Sequence, residues 1–224
     1  KGLDSARVLE NRGRVLWTDG TLNLNDFSTG GSGRIENAVG AVWEAQISGD
    51  RFVLVTAFGD VNSPAPRFDN AGTFRKSAGA GTSTVAFGLT FNNSGTVNVQ
   101  AGTLALGGGG VNTSSMQVAA GGTLNLFASY THAATSVLTS DGTLNLSGGS
   151  QSFPAGARVS SAVLNLSGAT ADFATPHSFG GLNFSGGELS GSGDVTVTGT
   201  LNWTGANTGM SGSGKTIIAA GGAG

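Results

Sequence analysis

The chain has no cysteine, no basic run and no long apolar run, and each absence excludes a class of protein or of partner. None of its 224 residues is Cys, which excludes a disulfide framework and a thiolate metal site. The formal net charge is -2 and no basic run occurs, so we expect no nucleic acid as a partner. No apolar run approaches the roughly 18 residues of a transmembrane helix, so we expect no membrane span in this segment.

Glycine is abundant instead, at 40 residues, but it does not recur at every third position, which excludes collagen. Charged residues make up 11% of the chain, against roughly 25% in an average globular protein. Hydrophobic residues account for 38% and alternate with polar ones, which argues against disorder. The composition therefore indicates an ordered domain of low charge whose turns are rich in glycine.

One apolar-polar-apolar phrase recurs down the second half of the chain at steps of 18 to 20 residues. Its copies are residues 124–126, 144–146, 164–166, 182–184 and 201–203, and residues 104–106 lie one step earlier. A fixed period of this size is typical of a solenoid, in which each repeat is one coil. The phrase alternates with a period of two, so the coil is made of strands. The sequence thus predicts an all-β parallel β-helix, or β-solenoid, with coils of about 20 residues.

The alternation also predicts which side chains face inward. Leucines, valines and phenylalanines would point into the coil, where Leu124, Leu144 and Leu164 would stack in an interior ladder. Threonines and asparagines would point outward. Glycines at corners such as residues 120–122 and 140–142 would supply the positive φ that a sharp turn needs.

Charge divides the single solenoid, residues 1–224, into two regions. Residues 1–76 carry 18 of the 24 charged side chains and have less regular coils, with a protruding loop near residues 61–67. Residues 77–224 form regular coils of low charge. A short helix near residues 3–12 is an alternative for the beginning of the chain. Residues 219–224 offer no polar cap, so we expect that the native chain continues.

Several phrases resemble the β-strand repeats of large bacterial surface and secreted proteins. They are residues 68–76, 91–104, 189–193 and 200–205, for example Asn93-Ser94-Gly95-Thr96-Val97. The repeats are similar to those of autotransporter-passenger-like and haemagglutinin-like adhesins. The resemblance implies a right-handed parallel β-helix, export to the cell surface or the extracellular space, and a structural or adhesive role. It implies no catalytic residue.

Residues 209–216, from Gly209 to Thr216, match the phosphate-binding pattern G-x-x-x-x-G-K-T in full. That loop needs a helix behind it, and residues 217–222 leave too little room for one. The repeat also places Lys215 at the coil position of Asp194, which a phosphate site would not tolerate. We therefore expect no nucleotide partner.

Metal sites have little support in the sequence. Residues 30–33 could open a calcium-binding nonapeptide, but Ile35 stands where the pattern requires Asp. Asp141, Asp172 and Asp194 do not share one coil position, so turn aspartates are the simpler interpretation and Ca²⁺ stays an open alternative. His132 and His177 lie far apart in the chain, and zinc needs three or four convergent ligands. We expect no metal and no cofactor.

Catalysis has no clear constellation either, so we expect no enzyme and name no catalytic residue. Polysaccharide-active β-helices need clustered carboxylates, and only residues 1–76 are dense enough in them to leave that alternative open. The candidates there are Asp19, Asp26, Glu36, Glu44, Asp50 and Asp60. Outward pairs Thr123/Asn125, Thr143/Asn145 and Thr200/Asn202 could bind ice or a glycan, although a structural ladder is the simpler interpretation.

These patterns predict a structural or adhesive stalk segment of an extracellular bacterial surface protein. A glycan, a cell-surface receptor or another copy of the chain, placed end to end or side by side, would be its partner. The alternative is a glycan-binding or glycan-cleaving β-helix whose function lies in the loops of residues 26–70.

Overall fold

The computed structural model of the chain describes residues 3, 7–24, 33–54, 66–219 and 221. These residues form an all-β parallel β-solenoid with coils of about 21 residues, which confirms the fold class predicted from the repeat. Within the described residues, no helix is long and apolar enough to cross a membrane.

The solenoid is built from short strands and three long ones. The strands are β1 (Val8–Asn11), β2 (Arg14–Trp17), β3 (Leu22–Asn23), β4 (Arg34–Asn37), β5 (Val42–Gln46), β6 (Arg51–Leu54), β7 (Arg67–Asn70), β8 (Thr73–Ala78), β9 (Thr82–Val85), β10 (Thr90–Asn93), β11 (Thr96–Val99), β12 (Gly102–Leu106), β13 (Gly110–Asn112), β14 (Ser115–Val118), β15 (Gly122–Leu126), β16 (Tyr130–His132), β17 (Val137–Leu146), β18 (Ser150–Phe153), β19 (Arg158–Phe173), β20 (His177–Ser190), β21 (Val195–Val197), β22 (Leu201–Trp203), β23 (Thr208–Met210) and β24 (Thr216–Ile218).

Each coil contributes three strands, and like strands of successive coils pair in parallel to form three columns. The first column runs through β1, β4, β7, β10, β13, β16 and β18. The second runs through β2, β5, β8, β11 and β14 to the first part of β17. The third runs through β3, β6, β9, β12 and β15 to the second part of β17. The long strands β19 and β20 continue all three columns, which reach β21 to β24.

The interior ladder of leucines lies where the repeat predicts it. Leu104, Leu124, Leu144, Leu164 and Leu182 occupy equivalent positions on neighbouring coils and are fully buried. Each one is flanked along its strand by a polar residue that points outward. Stacking them removes apolar surface from water, which stabilises the third column by about 25 cal/mol for each Å² buried.

Aromatic side chains pack together in the interior near the start of the chain. Trp43, Phe68, Phe74 and Phe91 are buried together, with ring centroids 5.1 to 5.6 Å apart and several edge-to-face contacts. Such contacts add to the burial of area. Bulky rings therefore fill this part of the interior, as Phe153, Phe173 and Phe179 do further along the chain.

The glycines at residues 120–122 and 140–142 do not supply the predicted positive φ, although other turn glycines such as Gly149 and Gly156 do. Gly121, Gly122 and Gly142 do not have positive φ. A Cβ atom at Gly142 would instead collide with the carbonyl oxygens of Gly122 and Ala119 on the preceding coil. Glycine is required there because the backbones of successive corners touch.

Coil length is irregular near the start of the chain. Successive equivalent residues of the first column are separated by 26, 33 and 23 residues at first, and by 19 and 20 later; they are Asn11, Asn37, Asn70, Asn93, Asn112 and His132. The possible helix near residues 3–12 is wrong for residues 8–11, because β1 pairs with β4 there. Most of the loop placed at residues 61–67 lies outside the described residues, and Arg67 belongs to β7.

Replacing Leu144 with Asp should destabilise the solenoid far more than replacing its neighbour Asn145 with Asp. Leu144 is buried between Leu124 and Leu164, so the carboxylate would be unpaired in an apolar stack and would cost several kcal/mol. Asn145 is partly exposed, and as Asp it could still accept the hydrogen bond that Asn165 donates. Urea melts of the two variants measure the difference. Equal stability of both variants would contradict the assignment of the faces.

Candidate functional surfaces

The phosphate-loop match lies on two strands of the solenoid and has none of the required architecture. Gly209 lies within β23, and Thr216 begins β24, so a strand follows Lys215 where a helix would be needed. The backbone N–H of Lys215 donates to the Asp194 carboxylate on the preceding coil, at 2.8 Å. This contact puts a negative charge where the pattern requires a phosphate. That the segment binds no nucleotide stays a prediction.

The residues considered for calcium are dispersed. Asp141 lies at a corner, Asp172 lies in the part of β19 that belongs to the first column, and Asp194 precedes β21. Residues 30–32 lie outside the described residues, and Ile35 is a buried core residue. Among the residues with described positions, no group of three or more His, Asp or Glu side chains could hold a metal ion.

His132 is fully buried, with Asn112 on the preceding coil and Phe153 on the following one. Its Nδ1 accepts from Asn112 Nδ2 at 3.3 Å, so the neutral ring carries its proton on Nε2. Its face stacks on Phe153, with centroids 4.2 Å apart and the planes 17° from parallel. Burial lowers the pKa of His132 to about 4 from the ordinary 6.5. The ring therefore stays neutral at physiological pH and acts as a packing element.

His177 occupies an interior position of the second column, opposite Val195, and remains slightly exposed. Its Nδ1 lies 2.6 Å from the carbonyl oxygen of Thr175, and its ring contacts Phe173 at a centroid distance of 5.0 Å. The two histidines therefore lie on different columns, and the structure does not bring them together.

The carboxylates of the first coils are held by donors. Glu44 is buried, and Ser77 Oγ donates to it at 2.6 Å, while Arg14 and Gln46 donate as well. The hydrogen bond from Ser77, followed by that from Arg14, lowers the pKa of Glu44 to about 2. A hydrogen bond from Thr82 likewise lowers the pKa of Asp50. A general acid needs the opposite shift, so neither carboxyl group suits that role.

Two of the other acidic candidates form ion pairs with arginines. Glu36 forms an ion pair with Arg34 at 2.8 Å, and Asp19 forms one with Arg51. Asp26 and Asp60 lie outside the described residues. The described carboxylates among these candidates therefore accept from arginines, from the side chains of Ser77 and Gln46, or from a backbone N–H.

The outward asparagines form the polar ladder that the repeat predicts. Asn183 donates to Asn165 at 2.7 Å, Asn165 donates to Asn145 at 2.6 Å, and Ser147 donates to Asn125. The threonine column beside it is broken, because Thr143 pairs with Val163 and Val163 pairs with Gly181. A flat threonine surface of the kind that could bind ice is therefore interrupted on these coils.

A second asparagine ladder lies inside the solenoid, and sequence reasoning missed it. Five buried asparagines of the first column donate from Nδ2 to the next residue of the series, at 2.7 to 2.8 Å for the four Asn–Asn contacts; they are Asn11, Asn37, Asn70, Asn93 and Asn112, and His132 ends the series. The first four also donate to a backbone carbonyl on the next coil. The sequence does mark this ladder, because the phrases Ile35-Glu36-Asn37 and Phe68-Asp69-Asn70 each place an asparagine two residues after a core residue, on the same face of the strand.

The buried ladder should be far less tolerant of a charge than the outer one. Asn70→Asp would remove both donations from Nδ2 and bury a carboxylate beside Asn93 Oδ1 and Thr96 O, costing about 3 kcal/mol or more. Asn165→Asp is the matched control, because its carboxylate would face water. The free energy of unfolding in urea distinguishes them, and a loss at Asn165 as large as that at Asn70 would refute the assignment.

Acid should weaken the fold through His132. Its pKa is lower in the folded protein than in the unfolded one, so the unfolded state binds the extra proton first as the pH falls. Stability is therefore lost between about pH 6.5 and about pH 4, by about 3 kcal/mol from this group. Chemical denaturation at several pH values, with His132→Asn as the control for titrating carboxylates, measures this contribution. A variant with the same pH dependence as the wild type would contradict it.

Comparison of the chain with models of protein families, with curated proteins and with solved structures found no match. The functional argument therefore rests on the repeat, the stacked ladders and the surface chemistry described above.

Proposed function

We propose that this chain is a structural or adhesive stalk segment of an extracellular bacterial surface protein. The observation that carries the proposal is the continuity of the core, in which like residues stack from coil to coil along three columns. Because each coil contacts mainly its neighbours, such a fold grows in length without changing its cross-section. That property suits a spacer.

The surface chemistry supports the same role. Asn145, Asn165 and Asn183 use their amide groups on one another and so strengthen the contacts between coils. The low charge of the regular coils also limits repulsion between copies of the chain, which favours side-by-side or end-to-end association as one way for a stalk to assemble. The extracellular placement rests on the resemblance of the repeats to those of adhesins.

A second candidate is a glycan-binding or glycan-cleaving β-helix that acts through the loops of residues 26–70. The observation in its favour is the 33-residue separation of Asn37 and Asn70, against 19 between Asn93 and Asn112. The extra residues of such a coil are a usual place for binding groups on a repetitive scaffold. Their own arrangement falls largely outside the described residues.

Lengthening the segment tests the stalk role. In the full-length protein on its cell, ten extra tandem copies of residues 145–164 would add about 48 Å at about 4.8 Å per coil, because Leu144 and Leu164 are equivalent. Adhesion should persist in this variant and in Asn145→Asp, and it should be lost in Leu144→Asp. Loss of adhesion in a folded Asn145→Asp variant would show that the outer surface binds and would overturn the spacer role.

Shortening the long coil separates the second candidate from the first. Replacing residues 55–65 with one glycine would bring the separation of Asn37 and Asn70 to the 23 residues seen between Asn70 and Asn93. The change spares β7, which begins at Arg67. A glycan screen that loses its signals with this variant alone would support the loop function, whereas unchanged signals would exclude it.

A further inference from the structure

A cavity of about 430 Å³ opens on the second column, and neither the repeat nor the proposed stalk role accounts for it. Arg158, Ser160, Thr175, Pro176, His177 and Ser178 are among its lining residues. This volume falls within the roughly 300–1,000 Å³ of small-molecule sites, and it is much larger than a bare inorganic ion needs.

The cavity lies where the stack of side chains is mismatched. Ser160 of β19 pairs with Ser178 of β20. Extended by two residues, this register places Arg158 opposite Pro176, and both residues line the cavity. A proline ring is short and rigid, so it does not fill the space above a long guanidinium side chain. The mismatch leaves an opening between these two coils.

Arg158 is an exposed cation that no described side chain neutralises. Its guanidinium makes no ion pair or hydrogen bond with a described residue. Arg14, Arg34 and Arg67 on the earlier coils, in contrast, each form an ion pair with a carboxylate. A free guanidinium fork matches the two oxygens of a carboxylate or a sulfate.

The other walls offer uncharged hydrogen-bonding groups. The exposed hydroxyls of Ser160 and Ser178 are adjacent on neighbouring coils. His177 is mostly buried, and its ring donates from Nδ1 to Thr175 O and contacts Phe173 in the interior. No acidic side chain lines the cavity, and Asp194 on the next coil already accepts from the Lys215 N–H. A ligand that combines an anionic group with hydroxyls fits these walls.

We propose that this cavity binds an acidic sugar residue of a glycan. Its carboxylate or sulfate would pair with the guanidinium of Arg158, and its hydroxyls would bond Ser160 and Ser178. The rings of Pro176 and the sugar would meet through their C–H faces. This binding goes beyond the proposed stalk role and does not depend on it, since a spacer needs no ligand on its side.

Calorimetric titrations test the proposal on the folded segment. The probes are oligogalacturonate for a carboxylate, a heparin-derived oligosaccharide for a sulfate, a cellulose oligosaccharide as the neutral control, and sodium sulfate as the bare ion. At least one acidic oligosaccharide should bind, and Arg158→Gln should weaken it at least tenfold. Arg158→Lys should fall between the two because it keeps the charge and loses the fork. The amide resonances of Ser160 and Ser178 should shift on binding.

Lys215→Gln is the matched control, because Lys215 is also an exposed cation on the outer side of this column. Its affinity should equal that of the wild type. The proposal is overturned if no acidic oligosaccharide binds, if the neutral one binds equally well, or if sodium sulfate binds as tightly as the oligosaccharides. It is also overturned if Lys215→Gln loses as much affinity as Arg158→Gln, since general electrostatic attraction would then explain the binding.

Discussion

Parallel pairing in register, which places each residue on its counterpart in the next coil, is the constraint on which the rest of the structure depends. At about 4.8 Å per coil, a side chain must tolerate a similar neighbour above and below it. Leucine and phenylalanine do so by burying area, as Leu144 does between Leu124 and Leu164. Like charges repel at that distance, and where they do stack, as Arg34 on Arg67 and Glu36 on Asp69, each charge is paired with an opposite one on its own strand.

The same constraint explains which polar groups are buried. Asparagine is self-complementary, because its amide donates to one neighbour and accepts from the other, as Asn70 does between Asn37 and Asn93. His132 joins this ladder to an aromatic stack by accepting at its edge and packing with its face. Lys76 is an exception, since it lies between Ala45 and Val99 and donates to the carbonyl oxygens of Ile47, Ala78 and Gly79. Neither of its stacked neighbours is charged, and the register of β5 and β8 shifts directly after it, where Ser77 of β8 is the extra residue.

The sequence predicted those features that repeat at a constant spacing. The leucine ladder and the outer asparagines were predictable because steps of 18 to 20 residues align them directly. The inner asparagine ladder was not, because its first steps of 26, 33 and 23 residues define no period. The first three members also follow an acidic residue, namely Glu10, Glu36 and Asp69, so no apolar phrase marks the position as buried. Gly142 was predicted as a turn residue for the wrong reason, since only the stacked backbone shows the carbonyl that a Cβ would meet.

Stacking also limits where a solenoid of this kind can carry a ligand. Along the outer ladder, Asn145, Asn165 and Asn183 bond one another, so few of their donors and acceptors remain for a partner. Binding chemistry becomes available where neighbouring coils carry unlike residues, because their polar groups then lack a counterpart. Arg158 beside Pro176 is such a place, and the long coil between Asn37 and Asn70 is another. Departures from the repeat, and not the repeat itself, are therefore where specific recognition by this chain should be sought.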